Sequence, residues 1–257
     1  LLDLRSGKLE RLTHNQVSES SLSFSPDSKW LAFVAPDEFT YMRKERIYLY
    51  PLAGGEMLKL PEGFDLDAGL SFWSEKGDTI FFSTLEGTAR NLFAVPVAKG
   101  STPMRVTDER ASISARKDKD TGLILISYTD PHQPLDIYLA SMKTLTNKKR
   151  WIKLTDANPQ LKNFSLAEYE NIAWKSTDGQ TIEGILIYPL DYKQGTRYPL
   201  IVQIHGGPAS AYTHSFSGSY GTYTHVFAAN GYAVFQPNYR GSSGYGEKFR
   251  LEISGDY

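Results

Sequence analysis

Short stretches of alternating apolar and polar residues recur along the first 155 positions at a constant spacing. Ile47-Tyr48-Leu49, Leu92-Phe93-Ala94 and Ile137-Tyr138-Leu139 begin 45 residues apart, and one further step back lands on Leu2-Asp3-Leu4. Alternation with a period of two is the mark of a strand with one face buried. Each stretch is followed by a second apolar-ended segment: Glu10-Arg11-Leu12-Thr13, Met57-Leu58-Lys59-Leu60, Met104-Arg105-Val106-Thr107 and Ile152-Lys153-Leu154-Thr155. Glycine turns such as Ser6-Gly7-Lys8 and Ala53-Gly54-Gly55 separate the two. The other half of the repeat reads strand, polar turn, strand from Leu22 to Phe33, again from Leu70 to Phe82, and more faintly from Ile113 to Ile126. Four short strands in about 45 residues is the size of one β-propeller blade. A β-sandwich of evenly spaced hairpins is the plainer alternative, but the register holds over four copies. Residues 1–13 would then be the last two strands of one blade, with three more blades to about residue 157. Since propellers close with four to eight blades, further blades are expected upstream of Leu1.

The period changes after Thr155. Asp156 to Leu166, containing Pro159, reads as a linker. A hairpin is predicted from Asn171-Ile172-Ala173-Trp174 and Thr181 to Pro189, across the turn Ser176-Thr177-Asp178-Gly179. Tyr198 to Ile204 is an apolar run of the kind buried on both faces of a parallel sheet, ending in His205-Gly206-Gly207-Pro208. A helix is predicted from about Gly221 to Asn230 with Gly231 as its stop, then a strand from Tyr232 to Gln236 that ends at Pro237. Strand, loop, helix, strand is an α/β order. The chain divides into a partial propeller over 1–157 and an α/β part over 158–257.

Composition narrows the function less than the pattern does. The 257 residues carry 28 Lys+Arg against 29 Asp+Glu, a net charge of −1, which gives no electrostatic reason to expect nucleic acid or an anionic membrane. No run of about eighteen apolar residues suggests a membrane span, and Leu1-Leu2-Asp3-Leu4-Arg5 lacks the order of a signal peptide. There is no initiator Met and no Cys, so disulfides, thiolate nucleophiles and Cys-ligated zinc are out, while the compartment stays open. His205, His214 and His225 are spaced by 9 and 11 without an i, i+4 pair, and no metal or cofactor is expected.

The candidate chemistry lies at the end of the Tyr198–Ile204 strand. Glycine lets the backbone there turn an N–H towards a substrate carbonyl, and such a donor stabilises the oxyanion of a tetrahedral intermediate. The Gly207 N–H is the first choice, Gly206 the second, and His205 an orienting or packing residue. Taken alone, Gly-Gly-Pro is more often a plain turn. About 30 residues on comes Gln236-Pro237-Asn238-Tyr239-Arg240-Gly241-Ser242-Ser243-Gly244-Tyr245-Gly246-Glu247-Lys248-Phe249. Strand, His-Gly-Gly-Pro, helix, strand, Pro-Asn-Tyr-Arg-Gly-Ser resembles the opening of the catalytic domain of the prolyl oligopeptidase family, in the branch of acylaminoacyl and dipeptidyl peptidases. The match runs over about 170–257, and Ser-Pro-Asp-Ser-Lys at 25–29 resembles blade turns of TolB-like propellers. The resemblance implies partial, TolB-like propeller blades followed by the N-terminal part of an α/β-hydrolase. It also implies that Arg240 and Gly241 brace a loop near the active site, and that His205 stands where other branches carry an oxyanion Tyr. The glycines at 241, 244 and 246 do not have phosphate-loop spacing.

An α/β-hydrolase needs Gly-x-Ser-x-Gly followed by Asp and His. No such pentapeptide occurs; around Ser243 and around Ser219 only one of the two glycines is present. Catalytic residues are therefore expected in none of these positions but C-terminal to Tyr257. Asp178 and Asp191 read as a turn and a loop residue, His214 and His225 as polar positions flanking or within a helix. The leading expectation is a fragment of a serine peptidase acting on short peptides by acyl transfer. Its specificity is acylaminoacyl-, dipeptidyl- or oligopeptidase, with self-association an option for uncovered strand edges. The alternatives are a propeller binding module, for which the second half would be superfluous, and an esterase, whose loop would more often read His-Gly-Gly-Gly.

Overall fold

In a computed structural model of the chain, described for residues 1–38, 42–207, 209–218 and 222–255, the alternating segments become three antiparallel four-stranded units. The first comprises β1 (Ser20–Phe24), β2 (Trp30–Pro36), β3 (Glu45–Pro51) and β4 (Leu58–Leu60). The second has β5 (Gly69–Trp73), β6 (Thr79–Glu86), β7 (Ala89–Pro96) and β8 (Met104–Arg105). The third has β9 (Ser112–Lys117), β10 (Ile124–Asp130), β11 (Gln133–Ala140) and β12 (Ile152–Lys153). Alternation decides the faces: along β3, Ile47, Leu49 and Pro51 are buried and the residues between them are not.

The tight turn that opens each blade repeats in its chemistry. The Ser25 hydroxyl accepts from the N–H groups of Lys29 (3.1 Å) and Trp30 (3.0 Å) and donates to Asp27 (2.7 Å). Ser74 does the same for Asp78 (3.2 Å), Thr79 (3.1 Å) and the Asp78 carboxylate (2.7 Å). In the third blade the Asp118 carboxylate accepts from Thr121 N–H at 2.8 Å, so the fainter copy keeps the turn with a different acceptor.

Blades stack face to face. Ile47, Leu49, Leu60, Trp73, Ile80, Phe82 and Val95 pack between the first and second; Phe72, Phe81, Leu92, Ile113, Ile124, Ile126 and Trp151 pack between the second and third. A fully buried side chain such as Phe82 contributes about 1.5–3 kcal/mol. Backbone pairing between the second and third blades is limited to one parallel step, Arg90 opposite Ser112. The first 13 residues depart from expectation. They form a lone turn with a single bridge, Leu2 to Leu9, in place of two strands. Leu4 and Leu9 are 89% and 77% exposed, so no apolar face holds them in a sheet.

The second half builds one mixed sheet in the order β13-β14-β16-β15, from β13 (Tyr169–Lys175), β14 (Thr181–Ile187), β15 (Leu200–Val202) and β16 (Ala233–Asn238). The hairpin β13–β14 is antiparallel, whereas β15 and β16 run parallel, joined through α1 (Thr224–Ala229). The helix begins later than expected, and Gly221 lies outside the described residues. Its C-terminal stop at Gly231 has φ +82°, a conformation glycine adopts without strain. Pro237 does not end β16 but pairs with Gly184. The Phe235 carbonyl accepts from Gln203 N–H (2.9 Å) on the β15 side, so two residues on Pro237 faces that side as well. There β15 has ended, and the missing N–H breaks no ladder bond. Ile185, Ile187, Val234 and Ala228 form the core. Leu200 and Val202 of β15 are 55% and 50% exposed, since this last strand of the sheet has an uncovered face. The architecture is β-propeller blades followed by the N-terminal part of an α/β-hydrolase sheet.

A short helix, α2 (Glu247–Leu251), lays the end of the chain against the blades. Along this seam the Gly87 N–H donates to the Gly244 carbonyl (2.8 Å) and the His214 N–H to the Thr88 carbonyl (2.7 Å). Asn171 reaches the Thr88 hydroxyl at 2.7 Å, and Phe216 N–H reaches that of Thr129 at 3.1 Å. Arg250, 6% exposed, forks onto the two carboxylate oxygens of Asp67.

Candidate active site

The parallel strand β15 delivers His205, Gly206 and Gly207 to the C-terminal edge of the sheet, where α/β folds place their ligands. Gly207 has φ +133°, and a Cβ there would lie 3.1 Å from Ser210 Cβ and 3.3 Å from Ala209 N. Only glycine meets both conditions. A Cβ on Gly206 would touch nothing within 4 Å, so its outer side is open. Pro208 lies outside the described residues.

The segment after β16 wraps this strand end. The Tyr239 ring stacks on the His205 imidazole at 4.6 Å and 16°, and its hydroxyl donates to the His205 carbonyl. His205 Nε2 lies 3.0 Å from the hydroxyl of Ser242, which is fully buried, and Nδ1 lies 3.1 Å from the Gly206 carbonyl. Tyr212 closes the other side, edge-on to the imidazole at 5.4 Å. Asn238, also fully buried, accepts from Tyr212 N–H (2.7 Å) and donates to its carbonyl (3.0 Å). Burial holds the imidazole below its ordinary pKa, against the opposing pull of the Gly206 carbonyl.

Arg240 turns away from His205. Its guanidinium bonds Asp178 and Gln180 in the β13–β14 turn and meets Glu252 at 3.3 Å. The Asp178 carboxyl is held below the ordinary range, first by the Gln180 N–H and then by this arginine. Gly241, at φ +96°, donates its N–H to the Phe249 carbonyl (3.0 Å), tying the loop to α2. Thus His205, Gly206 and Gly207 lie together with Tyr239 and Ser242, while Arg240 and Gly241 lock the loop that carries those two. Sequence reading gave Tyr239 and Ser242 no role, although both stand in the same motif as Arg240.

Among the described residues no hydrogen bond joins Asp178, Asp191, His214 or His225 to one another. The two histidines are not simple polar positions. His225, on α1, accepts from Ala167 N–H (3.2 Å) and lies 2.9 Å from the Pro131 carbonyl across the seam. His214 is 2% exposed, and among the described residues neither ring nitrogen has a partner. It borders a cavity of about 610 Å³ between the second blade and the hydrolase sheet, with Glu86, Arg105, Glu109, Asn171 and Glu183. Burial, then the Arg110 charge, pushes the His214 imidazole down to about 4. A group depressed from 6.5 to about 4 adds stability that is complete above pH 6.5 and lost as pH falls towards 4. The loss on acidification is expected to be about 3 kcal/mol. Urea unfolding of wild type and His214→Leu at pH 7 and pH 4 checks it; equal pH slopes in the two would refute it.

Blades stacked over an α/β-hydrolase sheet, with a glycine strand end clamped by a half-buried Tyr and a buried Ser, define a propeller-capped α/β-hydrolase. Comparison with known proteins makes the class specific. Residues 218–257 match the model of the prolyl oligopeptidase family, Peptidase_S9. Over 91% of its length it is 30% identical to a probable dipeptidyl-peptidase 5 of Emericella nidulans, of which it covers 32%. Over its whole length it is 24% identical to dipeptidyl-peptidase 5 of Porphyromonas gingivalis, covering 37%. The chain thus spans about a third of these relatives. Among solved structures, acylaminoacyl peptidase of Pyrococcus horikoshii superposes with a TM-score of 0.69 at 23% identity, over 88% of this chain and 34% of that one. That likeness shows the fold.

Proposed function

We propose that the chain is part of a serine peptidase that hydrolyses short peptides through an acyl-enzyme, and that it contributes the oxyanion side of the active site. The carrying observation is the His205-Gly206-Gly207 strand end, placed at the C-terminal edge of the sheet and clamped by Tyr239 and Ser242. In this reading the Gly207 N–H, with Gly206 as the alternative, receives the oxyanion. The nucleophile, acid and base come from sequence beyond residue 257, because no Gly-x-Ser-x-Gly occurs within it. Release of dipeptides is the first specificity to test, since the relatives matched over nearly the whole chain bear that name. The blades would cover the site and exclude folded proteins, with short peptides entering beside them.

Fluorophosphonate labelling read by intact mass tests the assignment. The 28.8 kDa chain should stay unlabelled, and the longer protein containing it should take one label and release dipeptides from dipeptidyl anilides. A label on the 28.8 kDa species would put the reactive serine inside residues 1–257 and refute this placement. Turnover of acetyl-aminoacyl anilides instead of dipeptidyl ones would reassign the specificity.

A further inference from the structure

We propose that His225 is an acid-operated release between the third blade and the hydrolase sheet, fastened when its imidazole is neutral and freed when it is protonated. The contacts stand apart from the peptidase reading; only the consequence for substrate access rests on it. From α1, His225 spans the seam with both ring nitrogens. Nδ1 accepts from the Ala167 N–H at 3.2 Å, and Nε2 lies 2.9 Å from the carbonyl of Pro131 in the β10–β11 turn. A backbone N–H only donates and a carbonyl only accepts, so these two partners together fix the neutral Nε2–H form. The Ala167 carbonyl lies 3.0 Å from Nε2 of His132 in the same turn. Ala167 is thus held by one histidine from each side of the seam.

Protonation removes the acceptor. Nδ1 then carries a hydrogen aimed at the Ala167 N–H, two donors face to face where a bond had been. Ala167 is 1% exposed, so bulk water does not replace that bond. The ring is rigid, and Nδ1 leaves Ala167 only by carrying Nε2 away from Pro131. Rotation in place is hindered by Phe216 and Tyr169, whose rings lie 5.1 and 5.4 Å from the imidazole. The titratable groups facing His225 are His132 from the blade and Tyr169 from β13, whose hydroxyl is 3.5 Å from Nε2. Neither supplies a counter-charge, and a charge on His132 opposes one on His225. Asp130, next to Pro131, is engaged by the His132 N–H (2.8 Å) and the Tyr128 hydroxyl (2.7 Å). Glu168, next to Ala167, is exposed, and α1 has no acidic residue. Burial holds the His225 imidazole below its ordinary pKa, against the pull of the Pro131 carbonyl. A depressed value means that the fastened seam is fully stable above pH 6.5 and loosens as pH falls. Towards the first two blades, the bonds from Gly87 to Gly244 and from Arg250 to Asp67 involve no imidazole. Acid therefore frees the third-blade end while the other end holds, and on the peptidase reading that end becomes a wider entrance for longer peptides.

The test compares the longer protein containing this chain as wild type and as His225→Asn, whose side-chain oxygen takes the place of Nδ1 as acceptor and binds no proton. Amide exchange, divided by the intrinsic rate at each pH, reads the protection of Ala167. In wild type that protection should fall about 10-fold from pH 7.5 to pH 5, while Gly87 changes less than about twofold. In His225→Asn the Ala167 value should stay within about twofold across the range. Histidine ¹⁵N shifts of wild type at pH 7.5 should report the Nε2–H form for His225. An equal fall of protection in both proteins would overturn the proposal, as would an Nδ1–H ring at pH 7.5. Should the variant not fold, wild type alone decides, because level Ala167 protection while the His225 shifts titrate is a refutation. The kcat/KM of a long peptide relative to a dipeptidyl anilide should rise over the same range in wild type and stay level in His225→Asn. A level ratio in wild type would overturn the effect on access. Absence of both hydrolysis and fluorophosphonate labelling would overturn the peptidase reading, and the exchange data would still decide whether His225 releases the seam.

Discussion

Replacing Asp67 by Ala is expected to cost the chain up to about 3–5 kcal/mol, the ceiling for removing one partner of a buried ion pair, because the arginine of this pair is buried although the carboxylate is 31% exposed. Arg250 is the reason. Its side chain is 7% exposed, and Nη1 and Nη2 both reach the Asp67 carboxylate. Nη1 has otherwise only a 3.5 Å contact with the Arg43 carbonyl, and Nε has no partner among the described residues. Without Asp67 the charge stays buried, offset only by the longer-range attraction of the Glu45 carboxylate. The same carboxylate accepts from Glu45 N–H at 2.8 Å, so the substitution also frees an amide at the start of β3. Urea unfolding should show a lower midpoint at unchanged slope. Adding Arg250→Met should restore much of the loss, because it removes the stranded charge while keeping apolar bulk. A loss under about 1 kcal/mol in the single variant would mean that the pair is not buried as described.

Gly244→Val is expected to be of similar severity for a different reason. Gly244 has φ +91°, where a β-branched side chain is strained by about 1–2 kcal/mol or more. A Cβ there would also lie 2.9 Å from Leu85 Cγ, 3.0 Å from the Gly87 carbonyl and 3.3 Å from Gly87 N. Two of those three atoms are backbone in the β6–β7 turn and cannot rotate aside. Relief requires the blade and the hydrolase loop to separate, which breaks the 2.8 Å bond from Gly87 N–H to the Gly244 carbonyl. Overpacking of this kind adds about 1–3 kcal/mol to the strain. Amide exchange should accelerate at Gly87 and across 239–250 while the strands of the third blade keep their protection. Unchanged exchange at Gly87 would show that the seam tolerates the added volume.

What could be seen in the sequence was whatever repeats or alternates locally. Ile47, Leu92 and Ile137 occupy matching positions on the third strand of each blade because a fixed four-stranded unit needs an apolar residue there. Ser25 and Ser74 announce the same turn because one hydroxyl can take two backbone N–H groups. His205-Gly206-Gly207, a plain turn by itself, was legible only together with Pro237-Asn238-Tyr239-Arg240-Gly241-Ser242 and the blades before it. The seam was not. Asp67 and Arg250 lie 183 residues apart, and nothing in either neighbourhood names the other. His214 read as a polar position flanking or within a helix, yet it lies buried beside the Thr88 turn, to whose carbonyl its N–H donates. Ser242 stood in plain view, yet its hydroxyl acquires a role only when the chain folds back 37 residues onto His205. The first turn misled in the opposite direction. Leu2, Leu4 and Leu9 have the spacing of strands but no apolar surface to cover.

The seam also bears on how the molecule comes into being. On a ribosome, Asp67 emerges 183 residues before Arg250, and Lys44 emerges 203 before Glu247, whose carboxylate accepts the Lys44 N–H at 3.2 Å. Each blade is a meander of neighbouring strands and closes on itself as it appears, whereas contacts between distant positions wait for the whole intervening chain. The blades are therefore already in place when residues 239–250 are made, and they act as the template on which that loop is cast. Since the same loop carries Tyr239 and Ser242, the shape given to the glycine strand end is inherited from a surface folded long before it.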